Sequence, residues 1–356
     1  MGRRSSKSKN NKGYGIKSAE RLLIEHLPKV SGQNFACTSL GRGQLAAQLA
    51  GDHPETSVTC LYLDKYLVER AYEARQPLPD NLKLVCDTDL PEEEYDHIFL
   101  PLPIRGEREL IRDQMQDAFL HLAEQGTLIV GNEKPKNMWL HDEMRKLFPK
   151  VTQIEMESCT ILSAQRKGDL KKERDFSCEF AFRDGEHLIK AVSRPSVFNH
   201  RQLDLGARTL IDAMRIRHKD NVLDIGCGSG CVTFAAALRA DKGHVTAVDS
   251  NMRAVQCTQI GAELNELQNV SVLLDDEVSQ PEQAAFDVVL ANPPYYSNYK
   301  IAELFLEGAH RCLKPGGSIY VVAKKPDWYL KEMPKMFKRV EVVADKQFRV
   351  IKGVQP

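Results

Sequence analysis

The strongest constraint on the fold of this chain is that it is written twice. Residues 34–43 (NFACTSLGRG) lie over residues 221–230 (NVLDIGCGSG), 187 positions on, and Val58-Thr59 lies over Val245-Thr246 at the same offset. Tyr95-Asp96 with Phe286-Asp287, and Lys134-Pro135 with Lys325-Pro326, keep an offset of 191. Trp139 falls near Trp328, and residues 148–151 over 337–340. Spacing this constant marks the duplication of one folding unit, and 356 residues suffice for two domains of ordinary size.

The order of signals within the unit is clearest in the second copy. An apolar stretch runs into a glycine-rich turn at 221–230, and a helix is predicted over 231–240. Further strands are expected at 244–250, 270–276, 286–296 and 318–323, with a helix over 303–312 and a Pro-Gly-Gly turn at 315–317. Strands alternating with helices imply parallel pairing and a sheet covered on both faces. The fold class is therefore α/β, with two tandem doubly wound, Rossmann-like domains. The expected boundaries are a disordered basic tail (1–17), a first domain (18–165), a charged linker with two short strands (166–200) and a second domain (201–356). Helices are expected at 18–27 and 203–214.

The two copies differ in their polar residues. Where the second has Asp224, Gly226, Gly228 and Gly230, the first has Cys37, Ser39, Gly41 and Gly43. Asp249 is matched by Tyr62, and Asn292-Pro293-Pro294-Tyr295 by Pro101-Leu102-Pro103-Ile104. The apolar pattern survives in the first copy while each group able to hold a ligand is gone, so the first copy is a fold kept without its chemistry. Loss of Asp64, which lies in that copy, is accordingly expected to leave ligand binding in the second unaffected.

Composition removes several classes. The formal net charge is +0, from 49 Lys+Arg against 49 Asp+Glu, which excludes a uniformly basic nucleic-acid coat and leaves only local patches. Two such patches are Arg166, Lys167, Lys171, Lys172 and Arg174, and Lys324, Lys325, Lys331, Lys335, Lys338 and Arg339. The nine cysteines are scattered without a C-x-x-C pair, as in a reduced, cytoplasmic protein, and neither they nor the ten histidines form a metal-ligand pattern. No apolar run is long enough to span a membrane, and the basic start has no apolar core behind it.

Four constellations carry chemistry. The turn at 224–230 (Asp224, Gly226, Cys227, Gly228, Gly230) allows close backbone approach to a ligand at a helix N-terminus, and serves NAD, FAD or S-adenosylmethionine. Its G-x-G-x-G spacing differs from the G-x-G-x-x-G of dinucleotide binders. Asp249 closes the next strand, where a carboxylate accepts from both hydroxyls of a ribose. Asp275 and Asp276 close the third, where a carboxylate could accept from an adenine amino group. N-P-P-Y at 292–295 ends the fourth strand, where open α/β sheets bind ligands. There the Asn292 amide oxygen and Pro293 carbonyl can accept from a planar amine, and Tyr295 can stack on its ring.

With these residues in view, the second half resembles class I S-adenosylmethionine-dependent methyltransferases with an amino-group-methylating N-P-P-Y motif. The chain as a whole resembles bacterial ribosomal-RNA guanine-N2 methyltransferases of the small- and large-subunit types, built on the methyltransferase small domain. R-P-S-V-F at 194–198 with L-D-L-G at 203–206, and Q-F-R-V at 347–350, are similar to segments of that family. Ser196 stands where the family usually has Gly. The resemblance implies mostly parallel seven-stranded sheets, an inactive first domain, S-adenosylmethionine bound by the glycine turn, Asp249 and Asp275 or Asp276, and a target base held by Asn292, Pro293 and Tyr295. Phe198 and Pro294 would line the substrate entrance. It implies ribosomal RNA as partner, the small-subunit type being favoured, no metal, and a monomer. The alternatives are an N-methyltransferase acting on a protein glutamine or on adenine N6, and a non-catalytic RNA-binding or ribosome assembly factor.

Overall fold

The computed structural model describes residues 16–27, 29–103, 106–157, 159–294 and 299–356. The first sheet comprises β1 (Asn34–Thr38), β2 (Ser57–Tyr62), β3 (Leu82–Cys86), β4 (Tyr95–Leu102), β5 (Leu122–Asn132), β6 (Thr152–Glu155) and β7 (Thr160–Gln165). Around it lie α1 (Ser18–Glu25), α2 (Gln44–Asp52), α3 (Lys65–Ala74), α4 (Arg108–His121) and α5 (Met138–Leu147). A hairpin of β8 (Cys178–Asp184) and β9 (His187–Ser193) follows. The second sheet comprises β10 (Asn221–Ile225), β11 (His244–Asp249), β12 (Val270–Leu274), β13 (Phe286–Ala291), β14 (Leu313–Ala323), β15 (Lys338–Asp345) and β16 (Arg349–Val354). Its helices are α6 (Leu205–Ala213), α7 (Cys231–Arg239), α8 (Met252–Leu264), α9 (Lys300–Cys312) and α10 (Asp327–Glu332).

Strand order is β3-β2-β1-β4-β5-β7-β6 in one sheet and β12-β11-β10-β13-β14-β16-β15 in the other. Only the penultimate strand of each, β7 and β16, runs antiparallel to its neighbours. The duplication is thus exact in topology. Central strands read as continuous apolar runs because helices cover both faces. In β10 and β13, Val222, Val288 and Leu290 enter one core, while Leu223, Ile225, Val289 and Ala291 enter the other.

The halves meet about a pseudo-two-fold axis. The segments after β2 and β11 cross antiparallel: Lys65 N–H donates to the Ser250 carbonyl and Met252 N–H to the Leu63 carbonyl, both at 2.8 Å, with Asp64 opposite Asn251. Each of these residues is 187 positions from its counterpart, so one segment meets its own duplicate, the isologous arrangement of a symmetric dimer made within one chain. Asp64 and Asn251 also cap α3 and α8, accepting from Tyr66 N–H and from Arg253 and Ala254 N–H.

Beside the axis, Arg253 is buried, 1% exposed, and its guanidinium donates to the Thr88 and Pro195 carbonyls, to Asp89 and to Asp113. Arg194 closes a bidentate pair with Asp89, both bonds 2.7 Å. Burial opposes ionisation of Asp89, but the Arg194 hydrogen bonds and the nearby Arg253 charge hold its carboxyl at about 2. Burial instead pushes Asp113 up despite the same arginines.

Candidate active site

The glycine turn joins β10 to α7. Gly226, Gly228 and Gly230 have φ of +76°, +56° and +78°, the left-handed region that favours glycine. A Cβ on Gly230 would meet the Phe234 ring at 2.3 Å, whereas one on Gly228 would meet nothing within 4 Å. The turn is therefore packed from below and open at its middle. It is pinned to β11 by Gly226 and Cys227 N–H donating to the Val248 carbonyl. Cys227 is buried, with Thr258 Oγ1 at 3.4 Å from its sulfur, and burial raises its thiol well above the ordinary range.

Asp249 accepts from Gly228 N–H through Oδ2 and from Asn251 N–H through Oδ1, each 2.9 Å. A carboxylate has about four acceptor positions, so these two bonds leave Asp249 able to accept from further donors. Burial pushes its pKa up to about 6, partly offset by those backbone donors. Asp224 is 2% exposed and turned inward, accepting from Thr233 Oγ1 at 2.6 Å. Burial pushes it up to about 7. Asp224 thus ties the turn to the first turn of α7, rather than opening onto the cleft.

Past β12, the two acids expected to share one role are separated by the structure. Asp275 is buried, and its carboxylate accepts from Glu277 N–H, Ser279 Oγ and Gln280 N–H, closing its own loop. Asp276 carries no such loop bonds among the described residues and pairs instead with Lys65 of the first half, at 3.3 Å.

Asn292 follows β13 directly. Its Nδ2 donates to Asp204 Oδ2 at 3.1 Å, the same oxygen that accepts from Ala207 N–H to cap α6. A carboxylate only accepts, so this bond fixes the amide with its oxygen turned away from Asp204. Sequence reasoning missed Asp204 as a partner, although the L-D-L-G segment that contains it stood out. Pro293 is buried and Pro294 partly so. Tyr295 lies outside the described residues, as do 1–15 of the basic tail. Phe198 is 52% exposed, next to buried Val197. Ser196 has φ +82°, in the left-handed region that favours glycine. Tyr299, also unforeseen, stacks on Trp328 with ring centroids 4.7 Å apart, and Lys324 and Lys325, a few residues before Trp328, are exposed. In the linker patch Arg166 is committed to structure, over the Phe119 ring and bonded to the Leu122 carbonyl. Among the described residues no three His, Cys, Asp or Glu come together as a metal site.

In the first half the corresponding cradle is filled. Tyr62 replaces Asp249, is 2% exposed, and sets its hydroxyl 3.0 Å from where a Cβ on Gly43 would lie. Glu20 of α1, fully buried, accepts from Ser39 Oγ at 2.6 Å and sits 3.2 Å from a Cβ position on Gly41, the counterpart of Gly228.

An open, acid-flanked glycine turn on one doubly wound sheet, beside a duplicate filled by Tyr62 and Glu20, defines an α/β protein of the doubly wound class whose candidate site lies in the second half. The sequence matches the family described as "Methyltransferase small domain" over residues 14–162 and 189–352. It is 26% identical over 328 residues to "Ribosomal RNA large subunit methyltransferase G" of Streptomyces avermitilis, covering 88% of this chain and 85% of that one. A protein of the same name from Magnetococcus marinus is 30% identical over 256 residues, covering 69% and 68%. Among solved structures, the T. thermophilus 16S rRNA N2 G1207 methyltransferase in complex with AdoMet and guanosine superposes with a TM-score of 0.81 at 21% identity, covering 97% of this chain and 93% of that one, and so shares the fold. The chain belongs to the methyltransferase small-domain family.

Proposed function

We propose that the second half transfers a methyl group from S-adenosylmethionine to the exocyclic N2 amine of a guanine in ribosomal RNA. The observation that carries this reading is the Asn292 amide, oriented by Asp204 at the carboxyl end of β13 and followed by Pro293. The open turn at Gly228 and the two-sided Asp249 fit the cofactor. When bound, S-adenosylmethionine supplies an electrophilic methyl group on sulfur. Asn292 and the Pro293 carbonyl accept from the guanine amine, hold its hydrogens in the ring plane's direction and ease the positive charge that develops on nitrogen. Tyr295 stacks on the base, and Phe198 and Pro294 line its way in, once the guanine is unstacked at a cost of a few kcal/mol. The proton leaves to solvent, and no covalent enzyme intermediate is required. The exposed Lys324, Lys325, Lys331, Lys335, Lys338 and Arg339 meet the RNA backbone, and the chain acts as a monomer because it contains its own two-fold partner.

Nucleoside mass mapping of ribosomal RNA from cells lacking this chain tests the assignment. The expected result is loss of one N2-methylguanine. Its position separates the large-subunit type named among the relatives from the small-subunit type named for the solved neighbour. Loss of N6-methyladenine, or in peptide mass mapping of proteins from the same cells loss of a methylated glutamine, with guanine intact, would replace the substrate, and no change in either map would favour a non-catalytic assembly factor.

The elevated Asp249 pKa gives a pH prediction. Only the ionised carboxylate accepts from both ribose hydroxyls, so affinity for S-adenosylhomocysteine should fall below about pH 6, by up to about tenfold per pH unit. The stability of the free protein runs the other way. Asp224 and Asp249 bind protons more tightly folded than unfolded, so their contribution weakens the fold as pH rises from about 4 to 7. Calorimetric titration and urea unfolding across that range check both signs; a flat affinity profile would remove Asp249 from the ribose.

A further inference from the structure

The plugged first half reaches into the working site of the second. Lys65 begins α3, and its backbone N–H is fixed on the Ser250 carbonyl at 2.8 Å. Its ammonium lies 3.3 Å from Asp276 Oδ1, with the two side chains 24% and 8% exposed. Asp64, one residue earlier, accepts from Ser250 Oγ at 2.9 Å, and Ser250 directly follows Asp249. Asp64, expected from its place in the first copy to have no bearing on the second half's ligand, has its side chain bonded to the residue that follows Asp249. Asp64 also faces Asp276, whose charge adds to burial in pushing its carboxyl up. Three acids thus converge where the two crossing segments meet, and Lys65 is the cation placed among them. The duplicate position in the second half is Met252, so this charge comes only from the first.

We infer that Lys65 is a positioning residue for the cofactor: it holds Asp276 Oδ1 so that Oδ2 faces the exocyclic amine of the adenine. The inference rests on the cofactor reading above. Asp275 cannot take this part, because its oxygens close its own loop. Unsecured, the Asp276 carboxylate would rotate and would stand uncompensated near Asp64 and Asp249, so ligand hydrogen bonding to it would weaken. The degenerate half therefore contributes to recognition of the adenine as well as to the bulk of the fold.

The test uses the full chain and two ligands, S-adenosylhomocysteine and its analogue with hydrogen in place of the adenine amino group, titrated by calorimetry into wild type, Lys65→Met, Lys65→Arg, Asp276→Asn and the Lys65→Met/Asp276→Asn double variant. Wild type should prefer the amino ligand. Lys65→Met should weaken that ligand about tenfold, the scale of a hydrogen bond to a charged group, while changing the analogue by less than about twofold. Lys65→Arg should restore most of the affinity, and Lys65→Met should add little to Asp276→Asn. Equal loss for both ligands in Lys65→Met, or loss additive with Asp276→Asn, would overturn the role of Lys65 and leave the cofactor reading standing. Equal wild-type affinity for the two ligands would remove Asp276 from the adenine, and the inference with it; no binding of either would defeat the cofactor reading itself.

Discussion

Replacing Asn292 by Ala should lower methyl transfer about 10²–10³-fold, the range for removing one preorganised polar group at a reacting centre, while S-adenosylhomocysteine still binds. The size follows from how the amide is held. Asp204 takes its nitrogen, so the oxygen is oriented before substrate arrives and its reorganisation costs nothing at the moment of reaction. Asp204→Asn should then reproduce part of the loss, because an amide at that place can donate to Asn292 Oδ1 and turn the group over. Single-turnover rates with saturating RNA, read beside cofactor titrations, distinguish lost transfer from lost binding. Wild-type turnover in Asn292→Ala would end the assignment of this residue.

The largest expected effect on stability is at Arg253. Truncation to Ala leaves Asp89 and Asp113 facing the interface with one buried cation fewer, together with two carbonyls, of Thr88 and Pro195, deprived of their donor. Breaking a buried charge cluster from one side costs about 3–5 kcal/mol. The expected outcome in urea is an earlier first unfolding transition, with both halves affected, since the cluster joins loops after β3 and β9 to the start of α8. A change below about 1 kcal/mol would mean that the cost of burying these charges offsets what their pairing contributes. Arg194→Ala should cost less, because Arg194 is more exposed and Arg253 would still face both acids.

Much of this was legible in the chain. The repeat offset located both glycine turns, and β10 to β14, the five strands of the second sheet that pair in parallel, fall where apolar runs predicted them. Tyr62 in place of Asp249 already marked the first cradle as disabled, and the structure adds how: the Tyr62 ring and the Glu20 carboxylate occupy it. Some edges moved. The strand expected over 286–296 ends at Ala291, because two consecutive prolines supply no N–H for a ladder. The strand expected at 318–323 begins at Leu313, ahead of the Pro-Gly-Gly turn, with an irregularity in its pairing to β13.

The roles of neighbouring acids were not legible. Asp275 and Asp276 are adjacent and chemically alike, and only the course of the following loop commits the first to backbone donors while the second meets Lys65. The Asn292 orientation depends on Asp204, 88 positions earlier, and the charge pairing of Arg253 on Asp113 and Asp89, 140 and 164 positions away.

What the sequence by itself determined is the layered α/β fold, its duplication, and which copy kept polar groups at the carboxyl ends of its strands. Those properties are carried by local periodicity and by residue type at a repeated position, which the chain states directly. What only the tertiary structure decided is that the two copies face one another across a pseudo-two-fold axis, with residues 63–65 crossing 250–252. That docking is set by the shape and charge of whole faces, which linear spacing does not encode. It is also what brings Asp64 and Lys65 of the silent half to the acids of the working one.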